Sequence, residues 1–151
     1  MIDIDPEVEA AIVAHNEGRY AAALALQQSL FARAEREDAP AGTTPVMALF
    51  GWQVLLPEHP PARAALEAIR NGQVQHLLNG ARYFGAPLWE GGHRTERFTV
   101  IVQLNELLGD APSTCALFAH FDASDPDVAR KYAQRALPAL VAGERWALAD
   151  R

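Results

Sequence analysis

At 151 residues, with 19 acidic against 13 basic side chains and a formal net charge of −6, the chain suits one domain that buries its core without a disulfide or metal staple. Half its residues are hydrophobic, many of them Ala and Leu, which is the composition of an α-helical protein rather than a sheet. The acidity, a single lysine (Lys131) and the absence of a basic run argue against nucleic acid or an anionic membrane surface as partner, and are compatible with a basic protein partner.

No window approaches the roughly 20 apolar residues of a membrane span. Residues 1–5 have neither the basic region nor the apolar run of an export signal, so a cytoplasmic location is the expectation. Cys115 stands alone inside an apolar helical stretch. It has no intramolecular disulfide partner and reads as a buried, inert thiol.

In chain order, Asp5-Pro6-Glu7 is a helix start: an acceptor to cap free N–H groups, a proline pre-set for the first turn and an acid at the positive end of the dipole. This helix runs to about Glu17, with Ala10, Ala11, Val13 and Ala14 as a small-residue surface, and Gly18 breaks it. A second helix, from about Tyr20 to Glu37, carries Ala23, Leu24, Leu30 and Phe31, with Tyr20 sealing the turn. A turn-rich linker covers residues 38–44. Thr44-Pro45 then opens a nearly all-apolar helix, Val46 to Leu56, expected to be central because a helix apolar all round is buried.

The run Pro57-Glu58-His59-Pro60-Pro61 is expected to stop that helix. Ala62 to Leu78 reads as amphipathic, with Ala65, Leu66, Ile69, Val74, Leu77 and Leu78 inward and Arg63, Glu67, Arg70 and Gln73 outward. Gly72 marks a possible kink in it. Residues 79–92, NGARYFGAPLWEGG, form the longest irregular stretch, yet they carry Tyr83, Phe84, Leu88 and Trp89. Those aromatics either tuck into the core or meet a partner. As a partner-binding set the candidates are Tyr83, Phe84 and Trp89, joined by Arg94 and Arg97 at the next helix start, since aromatics and arginines carry most interface energy. The alternative is that Trp89 anchors the loop and both arginines are simply solvated.

The stretch from Phe98 to Pro126 is the one around which the chain is organised. Phe98, Ile101, Leu104 and Leu108 recur at helical spacing, and Gly109 stands where a left-handed residue ends a helix. Cys115, Phe118, Ala119 and Asp122 mark one side of the next helix, broadened by Ala116, Leu117 and Phe121. The two make an antiparallel helical hairpin. Asp125 caps a further helix, Pro126 to Val141, lined by Val128, Tyr132, Ala136, Leu137 and Leu140 and bent or shortened by Pro138. Gly143 breaks the chain again before a short last helix over residues 145–149. The fold class is all-α, in antiparallel hairpins.

Gly109 and Gly143 lie 34 residues apart, the period of tetratricopeptide repeats. In EGRYAAALAL, Gly18, Tyr20 and Ala23 resemble the turn and second-helix start of such a repeat; Gly109, Phe118 and Pro126 match in a later unit, where Phe98 and Ile101 stand at inward positions. Tyr132, Ala136 and Gly143 resemble the start of another unit. Val102, Asn105 and Ala111 depart from the pattern, and the register fails across the middle of the chain. The resemblance implies a short right-handed array of about seven or eight helices with a concave recognition surface. The centre, VMALFGWQVLLPEHPPARAALEAIRNGQVQHLL, with the following LNELLGD, is similar to small helical bacterial proteins encoded beside secreted polymorphic toxins. That similarity implies an immunity protein that neutralises a cognate toxin by binding it.

Chemistry leaves little trace. His15, His59, His76, His93 and His120 form no pair three or four apart, so no metal is expected. Capping accounts for Asp125 and Asp127, and Gly85, Gly91 and Gly92 lack the rest of a phosphate loop, so no cofactor is expected. Three functions stay open: an immunity protein, a peptide-binding adaptor of tetratricopeptide type, and a small helical enzyme. The first two need a protein partner and no catalytic residue.

Overall fold

The structure, a computed structural model, describes residues 6–36, 49, 51–85 and 94–142. Expectations for Asp5, the linker, residues 46–48, Phe50, Leu88, Trp89, His93, Gly143 and the helix over 145–149 fall outside them. Among the described residues the chain is all-α, with seven helices and one very short ladder. They are α1 (Pro6–Asn16), α2 (Tyr20–Glu35), α3 (Trp52–Glu58), α4 (Pro60–Leu78), α5 (Arg97–Leu108), α6 (Ala111–Ser124) and α7 (Pro126–Ala142), with strands β1 (Tyr83–Phe84) and β2 (Thr95–Glu96) between α4 and α5.

Each helix packs on its neighbour in sequence, and α5 also meets α7. Three of the turns share one device. After α1, α4 and α5 the chain enters a left-handed glycine (Gly18, Gly80, Gly109), and the residue beyond it donates its N–H to the carbonyl five residues back. At Gly109 the bond runs from the Asp110 N–H to the Asn105 carbonyl, 2.8 Å, closing a helix end whose carbonyls would otherwise lack donors. Asp110 then caps α6 by accepting from the Ser113 N–H. The α1–α2 pair closes on small residues, Ala11 and Ala14 against Ala23, which let the two backbones approach.

Helix α5 organises the molecule. Arg97, Phe98, Val100, Ile101, Val102, Leu104, Asn105 and Leu108 are all buried, so it is covered on nearly every side. Val100, Leu104 and Leu108 belong to one core with Ala23, Phe31, Trp52, Leu55, Leu66 and Phe84. Phe98, Ile101 and Val102 belong to a second with Leu77, Cys115, Phe118, Ala129, Tyr132 and Leu140. In the second core Phe98 stacks on Tyr132, 4.2 Å between centroids, and Phe121 meets Tyr132 edge-on.

Several expectations need correction. The apolar helix expected from Val46 to Leu56 is not buried all round: Trp52 and Leu55 are, but Val54 is 53% exposed, and left-handed Gly51 precedes Trp52. Pro57 sits inside α3, and the interruption comes at His59, where the backbone is extended. Gly72 does not break α4, and Pro138 does not end α7. On α4, Gln73 points inward and Leu78 outward; Arg70 is half-buried against Asp110. Ala116 and Leu137 face solvent. The irregular stretch holds a ladder, with Tyr83 opposite Glu96 and Phe84 opposite Thr95.

Candidate functional site

The ladder decides the fate of the sequence-predicted partner-binding set. Alternation along β1 sends Phe84 into the first core, where its ring lies 5.3 Å from that of Phe31, and leaves Tyr83 37% exposed. Tyr83 has Arg82 and Arg94 over its ring, each 5.2 Å from the centroid, and Arg94 also donates to the Gly85 carbonyl at 3.2 Å. Arg82 grips Glu96 through two bonds of 2.9 and 2.7 Å, which raises its already high pKa. Arg97 lies inside the molecule at 7% exposure. It donates to the carbonyls of Ala81 (2.8 Å) and Tyr83 (2.9 Å), to Glu35 (3.3 Å) and to Gln73, while Gln73 donates to Glu35. Phe84 and Arg97 are therefore structural and unavailable to a partner. Tyr83 and Arg94 remain at the surface, and Trp89 is outside the described residues.

A different feature has the shape of a docking site. Helices α1, α2, α3 and α5, with Arg63 of α4, line an open groove of about 1160 Å³. That exceeds the roughly 300–1,000 Å³ of small-molecule pockets and suits a protein segment better. Ile12, Val54, Leu55 and Leu107 form apolar walls, and Ile12 and Val54 are exposed there. The same groove is lined by Gln27, 4% exposed, whose side-chain carbonyl has no hydrogen-bond partner. Gln103 Oε1 and His15 Nδ1, also lining it, are buried and unpartnered. A buried amide left without a partner costs on the order of 1–3 kcal/mol. Left-handed Gly51 makes room for one such group: a Cβ there would strike the Gln27 amide.

Sequence reasoning missed this groove, although part of its signal was available. Gln27 stands four residues after Ala23 and seven before Ala34, on the inward stripe of α2. A polar residue on that stripe is the informative exception. The groove itself unites residues far apart in the chain, which spacing alone does not reveal.

Two further clusters are structural. Arg70 donates to Asn105 Oδ1 and Asp110 Oδ2, both at 2.7 Å, and Asn105 passes a bond to Thr114 Oγ1 at 3.0 Å. The Ser113 hydroxyl, with help from Arg70, holds the Asp110 carboxyl below the usual carboxylate range, against the opposing effect of burial. Burial, with the negative charge of Glu96, pushes the Tyr132 phenol up to about 12. The Cys115 thiol is buried and donates to the Ala139 carbonyl at 3.2 Å. Among the described residues no three His, Cys, Asp or Glu side chains gather as a metal site, and no helix is long and apolar enough to cross a membrane. Compared with known proteins, the chain matches no family model, no curated protein and no solved structure.

Proposed function

We propose that the chain is a protein-binding module and that the groove between α1, α2, α3 and α5 is its docking face. The observation that carries this reading is Gln27, whose side-chain carbonyl is buried and unpartnered on the lining of a groove that also carries the exposed apolar side chains of Ile12 and Val54. Apolar walls supply the energy of docking, and the amides on the floor fix its register. In its narrower form the partner is a toxin and the module an immunity protein that neutralises it by direct contact in the cytoplasm. The resemblance of the central segment supports that form, as does the acidic balance of the chain.

The test is calorimetric titration with the product of the gene adjacent to its own. A stoichiometric complex is expected. Val54→Asp, a change on an exposed position that leaves the core alone, weakens it by about thirty-fold or more, the loss of one interface anchor worth about 2 kcal/mol. The absence of any complex overturns the immunity form. A complex untouched by Val54→Asp overturns the groove.

A further inference from the structure

The distribution of charge says what the groove accepts. Nearly every described arginine is engaged within the chain: Arg19 with Glu17, Arg33 with Glu7, Arg63 with Glu67, Arg70 with Asp110, Arg82 with Glu96, Arg97 with Glu35 and Arg130 with Asp127. Among the described residues, Glu9, Glu58, Glu106 and Asp125 remain as carboxylates without a cation, and Asp125 is taken up in capping α7. Glu106 lines the groove. It follows Gln103 by three residues on α5, so the two side chains are neighbours on one helix face.

The groove thus combines an unbalanced carboxylate at its rim with two buried amide oxygens, Gln27 Oε1 and Gln103 Oε1, and the His15 Nδ1 position, none of them hydrogen-bonded. A terminal amide can turn over, so by itself it selects neither donor nor acceptor. Glu106 breaks that symmetry by favouring a ligand that donates and is positively charged. Among the described lining residues the one arginine or lysine, Arg63, is already occupied: it pairs with Glu67 at 3.2 Å and donates to the Leu108 carbonyl at 2.8 Å. Apolar walls from Leu55, Leu107 and Val54 suit a methylene stem. A planar fork of five donors fits two amides and a carboxylate better than a point charge with three.

We infer that the groove seats an arginine side chain of a basic protein partner, its guanidinium donating to Gln27, Gln103 and Glu106 and its stem lying on the apolar walls. This rests on the groove being the docking face and adds the chemistry of its occupant. Charge complementarity carries the assignment: an acidic chain in which most of the described arginines are engaged leaves this carboxylate for an outside cation.

The experiment is an NMR titration of the full chain with the peptide acetyl-Leu-Arg-Leu-amide and with the same peptide carrying citrulline, which keeps the shape of arginine but not its charge. The arginine peptide shifts the side-chain amide signals of Gln27 and Gln103, and the citrulline peptide binds at least about tenfold more weakly, as expected for loss of one charge-assisted contact. Glu106→Gln, at an exposed position that does not threaten the fold, brings the arginine peptide down to the citrulline level. Equal binding of the two peptides, full binding to Glu106→Gln, or shifts confined to the surface around Tyr83 each overturn the assignment. With the protein partner in hand the two levels separate. A complex lost in Val54→Asp but unchanged in Glu106→Gln sinks the arginine seat alone, whereas one unchanged in both sinks the groove as well.

Discussion

Asp110 closes the Gly109 turn from its far side, and its titration is a test at the scale of one residue. Its pKa is depressed in the folded chain, first by the Ser113 hydroxyl and then by Arg70. The sign follows: the carboxylate contributes stability above its unfolded value, about 3.9, and that contribution disappears as the pH falls through the lower folded value. Asp110→Asn retains a side chain able to cap α6 but has no charge to lose. Wild type is therefore expected to be the more stable by a constant margin from neutral pH down to about pH 5, with the margin shrinking below that. Urea denaturation at stepped pH measures it, and a margin that stayed level into strong acid would contradict the pairing with Arg70. Gly109 was legible in the sequence, because a glycine after an apolar helix has few other uses. The roles of Arg70 and Gln73 were not: long polar side chains on an amphipathic helix read as solvated, and only the arrival of α5 and α6 gives them buried partners.

At the scale of the element, Arg97 does the work expected of an interface residue, but inside the chain. It stands four residues before Ile101 and seven before Leu104, on the inward side of α5, and that periodicity was open to reading. What the sequence could not show is the two-residue ladder that brings the Ala81 and Tyr83 carbonyls within reach, since two residues are too few to display an alternation. Replacing Arg97 with Leu strands those carbonyls together with Glu35 and Gln73. The expected cost is about 2–3 kcal/mol, because acceptors left unmet in the interior lose their donors without regaining water. Thermal or urea unfolding of Arg97→Leu checks it; a loss below about 0.5 kcal/mol would mean the network is as dispensable as a surface pair. Gly85, left-handed and with its Cβ position 2.5 Å from the Ala34 carbonyl, pins the same ladder to α2 and leaves no room for a side chain.

For the whole molecule, the sharing of α5 between two cores predicts one cooperative unit. Ile101 belongs to the second core, yet Ile101→Ala is expected to destabilise both, by about 2–5 kcal/mol. Hydrogen exchange followed by mass spectrometry should show protection falling in α2 as well as in α7; loss confined to α6 and α7 would show two independent units instead. The all-α class, the α1–α2 pair and the α5–α6 hairpin were readable because each rests on a local apolar period and a glycine stop. The groove was not, because it is assembled from five helices spread over nearly a hundred residues, Ala11 to Leu107.

The placement of α5 also bears on how the chain comes off the ribosome. Helices α1 to α4 emerge first, but the face formed by Phe31, Trp52, Leu55 and Leu66 has no cover until Val100, Leu104 and Leu108 have been synthesised. Until then this apolar surface stays open to water and to chaperones, and this core closes only when the helix that also founds the second is complete.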